Sequence, residues 1–134
     1  MNNPLIRIPV HALVVWLLPF IVSLGFFTPE GELRTDIFLF KTVMILVSTP
    51  LGLYLMTEHL RGQVGSLAGS GLLAGAVWML LNWILDFFVL LPLSGMAIPD
   101  YFTQIGLRYF IMPITGYFLG RAMTKNATQP KAEL

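Results

Sequence analysis

NWILDFFVLLP, residues 82–92, decides the fold, because it places an asparagine and an aspartate inside a run that is otherwise apolar. The surrounding segment, Leu67 to Leu91, is long enough to cross the membrane, since about 20 helical residues span about 30 Å of hydrocarbon. An unpaired charge at the membrane centre costs from about 3 to more than 10 kcal/mol, so a carboxylate here needs partners. The stretch therefore predicts a membrane helix that shares a polar cluster with its neighbours.

The composition of the whole chain indicates a membrane protein. Of its 134 residues, 56% are hydrophobic and 11% are charged, whereas soluble domains carry about 25% charged residues. The formal net charge of +1 argues against a nucleic-acid partner and leaves the lipid bilayer as the expected surrounding. With no cysteine and only two histidines, no disulfide or thiolate metal site is expected. We predict no cofactor, no metal site and no catalytic residue.

Four apolar segments are predicted to cross the membrane as helices. The connections between them are short and rich in Pro, Gly, Ser and Asp, which end or cap helices, so consecutive helices are expected to be antiparallel. The predicted spans are Val10 to Phe27, Asp36 to Thr57, Leu67 to Leu91, and Tyr101 to Met123.

The predicted fold class is an all-α integral membrane protein, an antiparallel four-transmembrane-helix bundle with proline-kinked helices. Pro19, Pro50 and Pro113 lie within the first, second and fourth spans, where each removes a backbone donor. Residues 1–123 are predicted to form this single domain. Residues 124–134 are polar and are expected to form a disordered cytoplasmic tail.

The distribution of Lys and Arg predicts the orientation, because positive residues accumulate beside the cytoplasmic ends of membrane helices. The loops expected outside contain one positive residue, Arg34, together with Glu30, Glu32, Asp36 and Asp100. The opposite side carries Arg7, Arg61, Arg121, Lys125 and Lys131. This bias predicts that both termini are cytoplasmic, and the expected location is the cytoplasmic (inner) membrane of a bacterium.

Charged residues on three predicted helices fall at one depth and define the candidate site. At about 1.5 Å per residue, Lys41, Asp86 and Arg108 lie about 7, 9 and 10 Å from the outer ends of their spans. Asn82 and Asp86 are four residues apart, as are Gln104 and Arg108, so each pair shares a helix face. We expect Asp86 to pair with Arg108, or with Lys41 as alternative or third member. These five residues form the predicted substrate- or ion-binding site, whose excess positive charge would suit an anion.

Small residues are predicted to let the same helices approach closely. One band on the third span contains Gly71, Gly75, Trp78, Asn82 and Asp86. A comparable band on the second span contains Lys41, Ile45, Ser48 and Gly52. Glycines four residues apart are typical of helix contacts in membranes. Such pairs occur at Gly65/Gly69, Gly71/Gly75 and Gly116/Gly120.

Two further polar side chains are interpreted as boundary residues. His11 falls near the inner interface, away from the cluster, so a boundary position is favoured over a proton relay. Tyr101 falls at the outer end of the fourth span, where aromatic belts form.

Two functional hypotheses remain open. The first is a small channel or transporter with the polar cluster near its outer face, working as a homo-oligomer because four helices enclose little volume. The second is a structural or accessory subunit of a larger membrane complex, in which the cluster is a salt bridge that fixes helix register. An intramembrane enzyme is the least favoured class, because the chain has no HExxH motif and no plausible Ser/His or Asp/Asp pair.

Overall fold

The computed structural model describes residues 3–128, which form helices joined by short connections. The helices are α1 (Pro4–Leu24), α2 (Ile37–Arg61), α3 (Leu67–Leu85), α4 (Leu91–Ser94), α5 (Ile98–Gln104) and α6 (Ile111–Thr128). One turn of π-helix, Asp86–Leu90, joins α3 to α4, and a 3-10 segment, Gly106–Phe110, precedes α6.

Three stretches of the described chain are long and apolar enough to cross a membrane, namely Ile6–Leu24, Ile37–Arg61 and Leu67–Ser94. They correspond to the first three predicted spans. The third passes from α3 through the π turn into α4 without a break, because the Leu91 N–H donates to the Asp86 carbonyl. The helix therefore continues through Pro92. It stops at Gly95, whose φ of 63° lies in the left-handed region that ends many helices.

The predicted fourth span, Tyr101 to Met123, is not one continuous helix. α5 ends at Gln104, the 3-10 segment follows, and α6 begins at Ile111. Within residues 3–128 this region is not among the stretches that are long and apolar enough to cross a membrane. The structure thus has three candidate spans and a broken fourth segment in place of four uninterrupted spans.

α3 and α6 pack backbone against backbone through glycine. A Cβ atom built on Gly71 would overlap the Gly116 backbone, and one on Gly75 would overlap Pro113. The contacts run in opposite order along the two helices, so α3 and α6 are antiparallel: Leu67 meets Gly120, Gly71 meets Gly116, and Gly75 meets Pro113. The predicted packing role of Gly71/Gly75 and Gly116/Gly120 is confirmed.

The Gly65/Gly69 pair does not pack in this way, and its predicted role is wrong. Gly65 precedes α3 with a φ of 97°, and a Cβ there would meet nothing within 4 Å. Glycine is favoured at position 65 because this backbone conformation is one that other residues rarely adopt. A Cβ on Gly69 would touch only Ser66, the residue that caps α3.

α1 lies against both α2 and α3. Its hydrogen bonds from Trp16 to Asp86 and from Asn82 to Ala12 rise in the same order, so α1 and α3 are parallel. Arg7 at the start of α1 donates to the Glu58 carbonyl near the end of α2, which makes these two helices antiparallel. The core between the three helices includes Ala12, Val15, Met56, Leu60, Ala74 and Trp78.

The predicted proline kinks stay a prediction, and the tail differs in part from the predicted one. α1 and α2 continue through Pro19 and Pro50, and α6 begins two residues before Pro113. A proline in the first helical turn is tolerated, because its missing N–H has no partner there in any case. α6 extends to Thr128, five residues into the predicted tail of residues 124–134. Residues 129–134 of that tail lie outside the described residues.

Candidate functional site

The centre of the candidate site is Asp86, a carboxylate that is only 1% exposed and lies at the first residue of the π turn. Trp16 Nε1 of α1 donates to Asp86 Oδ1 over 2.7 Å. The hydroxyl groups of Tyr101 and Tyr109 both donate to Asp86 Oδ2, over 2.7 and 2.8 Å. Trp16 and Tyr101 are themselves buried, at 8% and 0% exposure. Asp86 therefore joins α1, α5 and the 3-10 segment inside the protein.

A π turn begins at this carboxylate. A π turn inserts one extra residue into a helix and is common at functional sites. The band that begins with Gly71 and Gly75 stays buried through Trp78, Asn82 and Asp86, as the sequence predicted. The buried band ends at Asp86, and Phe88, two residues later, is 79% exposed.

The break in the fourth segment is fixed by aromatic residues. Trp83 Nε1 donates to the carbonyl of Gly106 over 3.0 Å, at the start of the 3-10 segment. The Trp83 ring also meets Phe102 and Phe110 edge to face. A Cβ on Gly106 would lie 2.7 Å from a Phe102 ring carbon, so only glycine fits. The break thus aims two tyrosines, Tyr101 and Tyr109, at Asp86.

Asn82 lies one helical turn before Asp86 and is also 1% exposed. Its Nδ2 group donates to the Trp78 carbonyl over 2.8 Å and to the Ala12 carbonyl over 3.4 Å. Its Oδ1 atom has no hydrogen-bond partner among residues 3–128. Of the five predicted site residues, the structure brings Asn82 and Asp86 together on one buried face.

The predicted ion pair between Asp86 and Arg108 or Lys41 is wrong. Neither base lies within ion-pair distance of Asp86, and in the described chain the ion pair that does form is the exposed Arg61–Glu58 contact. Arg108 is exposed and Lys41 is half-buried. Long basic side chains can keep their charged ends in water while their carbon stems lie in the apolar layer.

The other predicted members of the cluster also lie apart from Asp86. Gln104 is half-buried at the end of α5, where residues 3–128 offer its side chain no hydrogen bond. The predicted band on α2 is wrong as a packing surface, because a Cβ on Gly52 would meet nothing within 4 Å. The carboxylate of Asp36 caps α2 by accepting from the Phe38 and Leu39 N–H groups.

Sequence reasoning missed the three side chains that bind Asp86. Tyr101 was assigned to an interfacial aromatic belt, but it is fully buried. The sequence did contain a signal for these donors, because a buried Trp or Tyr needs a hydrogen-bond partner for its polar atom. An acidic side chain in an apolar segment is the natural acceptor when no base is near.

Comparison with protein-family models, with curated proteins and with solved structures found no match.

Proposed function

We propose that this chain is a small multi-pass membrane protein that transports protons, with Asp86 as the proton-binding group. One observation carries the proposal. Asp86 is sealed inside the protein without a basic partner, and three neutral donors bind it instead. Ionisable groups inside membrane segments are rare because of their cost, and they commonly mark ion pathways or proton relays.

The hydrogen-bond network accommodates Asp86 in two protonation states without moving a heavy atom. When Asp86 is ionised, Trp16, Tyr101 and Tyr109 all donate to it. When Asp86 is protonated on Oδ2, that oxygen donates to one tyrosine hydroxyl, which accepts after its own hydrogen rotates away. Trp16 is donor-only and keeps Oδ1 as an acceptor in both states. A group that changes state without rearrangement suits repeated proton binding and release.

The proton is favoured over the anion that the sequence suggested. The anion hypothesis required Lys41 and Arg108 beside Asp86, and neither is there. A metal cation is disfavoured for a different reason, because the oxygens of Asp86 already accept from N–H and O–H donors that would repel it. A bound proton neutralises the carboxylate and adds no steric demand.

The proposed orientation in the membrane rests on the distribution of Lys and Arg. Arg7 at the start of α1 lies beside the end of α2, which carries Arg61, and the Gly120 end of α6 lies beside the start of α3. Arg121 follows Gly120, so the positive residues meet at one end of the helices. We place this end in the cytoplasm of a bacterial inner membrane, with Asp86 nearer the outer face.

The proposal is tested by proton flux into vesicles that contain the purified protein. A pH gradient and a potassium-clamped membrane potential drive the flux, and a dye trapped inside the vesicles reports internal pH. The wild-type chain should collapse the gradient, and Asp86→Asn should not. Tyr54→Phe is the matched control, because Tyr54 is 63% exposed and distant from Asp86 in the chain. Vesicles that hold their gradient with the wild-type protein would refute the proposal.

A second function, an accessory subunit of a larger membrane complex, is favoured by one separate observation. The buried residues of α2 are Met56, His59 and Leu60, all in its last six positions, so the rest of this helix is half-buried or exposed. In this case Asp86 serves as a clamp that holds the fourth segment. Co-purification from native membranes with one stoichiometric partner, together with no proton flux by the chain alone, would favour it over the transporter.

A further inference from the structure

A second group of buried polar atoms lies between α1, α2 and α3, on the side of Asn82 away from Asp86. Four of these atoms have no hydrogen-bond partner within residues 3–128. They are His11 Nδ1, His59 Nδ1, Trp78 Nε1 and Asn82 Oδ1. His59, Trp78 and Asn82 are each 1% exposed, so bulk solvent does not satisfy them.

The four atoms belong to one continuous region. The rings of His11 and Trp78 meet edge to face with their centroids 6.0 Å apart. Asn82 follows Trp78 by one turn of α3 and donates to Ala12, the residue after His11. Arg7, one helical turn before His11, donates to the carbonyl of Glu58, the residue before His59, so His59 lies at the same end of this region as His11. These contacts connect the Asp86 region with the start of α1.

Leaving four such atoms unsatisfied would be costly. A buried polar group without a partner costs about 1 to 3 kcal/mol in proteins. Hydrocarbon supplies no hydrogen bonds, so lipid cannot offset this cost. Proteins contain about one buried water per 27 residues, each with about three polar partners, so several internal waters are normal for a chain of this size.

We infer that these side chains hold a chain of internal water molecules, and that this chain is the proton route between Asp86 and the cytoplasmic end. The route rests on the proposed function, whereas the water site does not. The proton enters from water at the end near Arg7 and passes to His59 and His11. It then moves through water beside Trp78 and Asn82 and reaches Asp86 Oδ2. Each member accepts one proton and releases one, so the net transfer is a single proton.

Three charged residues lie around the cytoplasmic entry of the proposed proton route. Arg7 is half-buried and donates to the carbonyl of Glu58, the residue before His59. Glu58 has its carboxylate engaged with Arg61 on the exposed side of α2. The entry of the route therefore lies at the end of the helices that carries Arg7 and the exposed Arg61.

The water site is tested first by nuclear magnetic resonance of the wild-type protein labelled with 15N-histidine. The chain has two histidines, so one variant, His11→Phe, assigns both ring signals. We expect cross-peaks between water and the imidazole protons, with exchange faster than that of the labelled backbone amides of the two histidines. Rings without water contact would overturn the water site, and this result needs no folded variant.

The route is tested by proton flux through His59→Phe and Asn82→Leu, which keep similar volume and remove the polar atoms. We expect flux to fall by about 100-fold or more, as for loss of a positioned proton-transfer group. Thr42→Val is the control, because the Thr42 side chain is exposed and bonds within its own helix. Asp86-dependent flux that survives both replacements would overturn the route and leave the proposed function standing. Water contact without any wild-type flux would support the water site and refute the transporter.

Discussion

Trp16 and Asp86, 70 residues apart in the chain, are joined by a hydrogen bond of 2.7 Å from the indole nitrogen to Oδ1. The bond fixes the level of α1 against α3. It also uses the one polar atom of Trp16, which is buried at 8% exposure and stacks on Phe20 with ring centroids 4.8 Å apart. The same bond is therefore a packing contact and a part of the candidate proton site.

Replacing Trp16 by Phe should destabilise the protein by about 1.5 to 3 kcal/mol, the usual contribution of a hydrogen bond to a charged group. The aromatic stack on Phe20 is retained in part, so most of the loss comes from the bond to Asp86. Thermal unfolding in detergent measures the effect. Trp83→Phe is the control, because it removes a bond to the neutral Gly106 carbonyl and should cost only about 0.5 to 1.5 kcal/mol. Equal losses in both variants would mean that the bond from Trp16 to Asp86 contributes no more than a bond to a neutral carbonyl.

Tyr101→Phe and Tyr109→Phe should each remove one donor to Asp86 Oδ2, and their effects should not be additive. Neighbours that share one partner commonly show interaction energies of about 0.5 to 3 kcal/mol in a double-mutant cycle. Unfolding of the two single variants and the double variant gives the cycle. Additive losses would mean that the tyrosines act on separate acceptors. Tyr54→Phe, at an exposed position, should leave stability unchanged.

Much of the third span could be predicted, and its partners could not. The band from Gly71 to Asp86 follows from helical periodicity, and glycine spacing indicated close helix contacts without naming the partner helix. The partners of Asp86 depend on the break at Gly106, where the tertiary hydrogen bond from Trp83 is made. Depth estimates assumed continuous helices, and that assumption fails in the fourth segment.

The predicted ion pair of Asp86 was wrong for a related physical reason. Depth alone brought Lys41 and Arg108 to the level of Asp86, but long basic side chains reach outward to the surface. Aromatic donors satisfied the carboxylate with less desolvation than a buried base requires. Opposite charges at one depth in a membrane protein therefore do not establish a pair.

Replacing Gly71 or Gly116 by Ala should destabilise the fold, because each new methyl group would overlap the backbone of the facing helix. Overpacking of this kind typically costs about 1 to 3 kcal/mol. Gly52→Ala is the matched control, since Gly52 also lies within a long helix and a Cβ there would meet nothing within 4 Å. Unfolding in detergent compares the three. Tolerance of Ala at Gly71 and Gly116 would show that α3 and α6 are further apart than described.

Lys41→Met should leave both stability and proton flux near those of the wild type. Lys41 forms no ion pair with Asp86, and surface substitutions usually change stability by less than about 0.5 kcal/mol. Arg108→Gln should likewise leave stability and proton flux near those of the wild type, because Arg108 is exposed. Parallel unfolding and flux measurements check this. A large loss of flux in Lys41→Met would restore the charged cluster and argue against Asp86 as a group without a basic partner.

The most direct test of Asp86 as a proton carrier is infrared spectroscopy of its carboxyl group in protein with 13C-labelled aspartate. Spectra are recorded while pH is varied over the range in which the protein stays folded, and Asp86→Asn identifies the Asp86 signal by its loss. The account predicts that this signal converts between the protonated and ionised forms, and that the band position shifts in Tyr101→Phe and Tyr109→Phe because both hydroxyls bind Oδ2. An Asp86 signal that stays in one form throughout would contradict the proposal and leave Asp86 as a structural clamp.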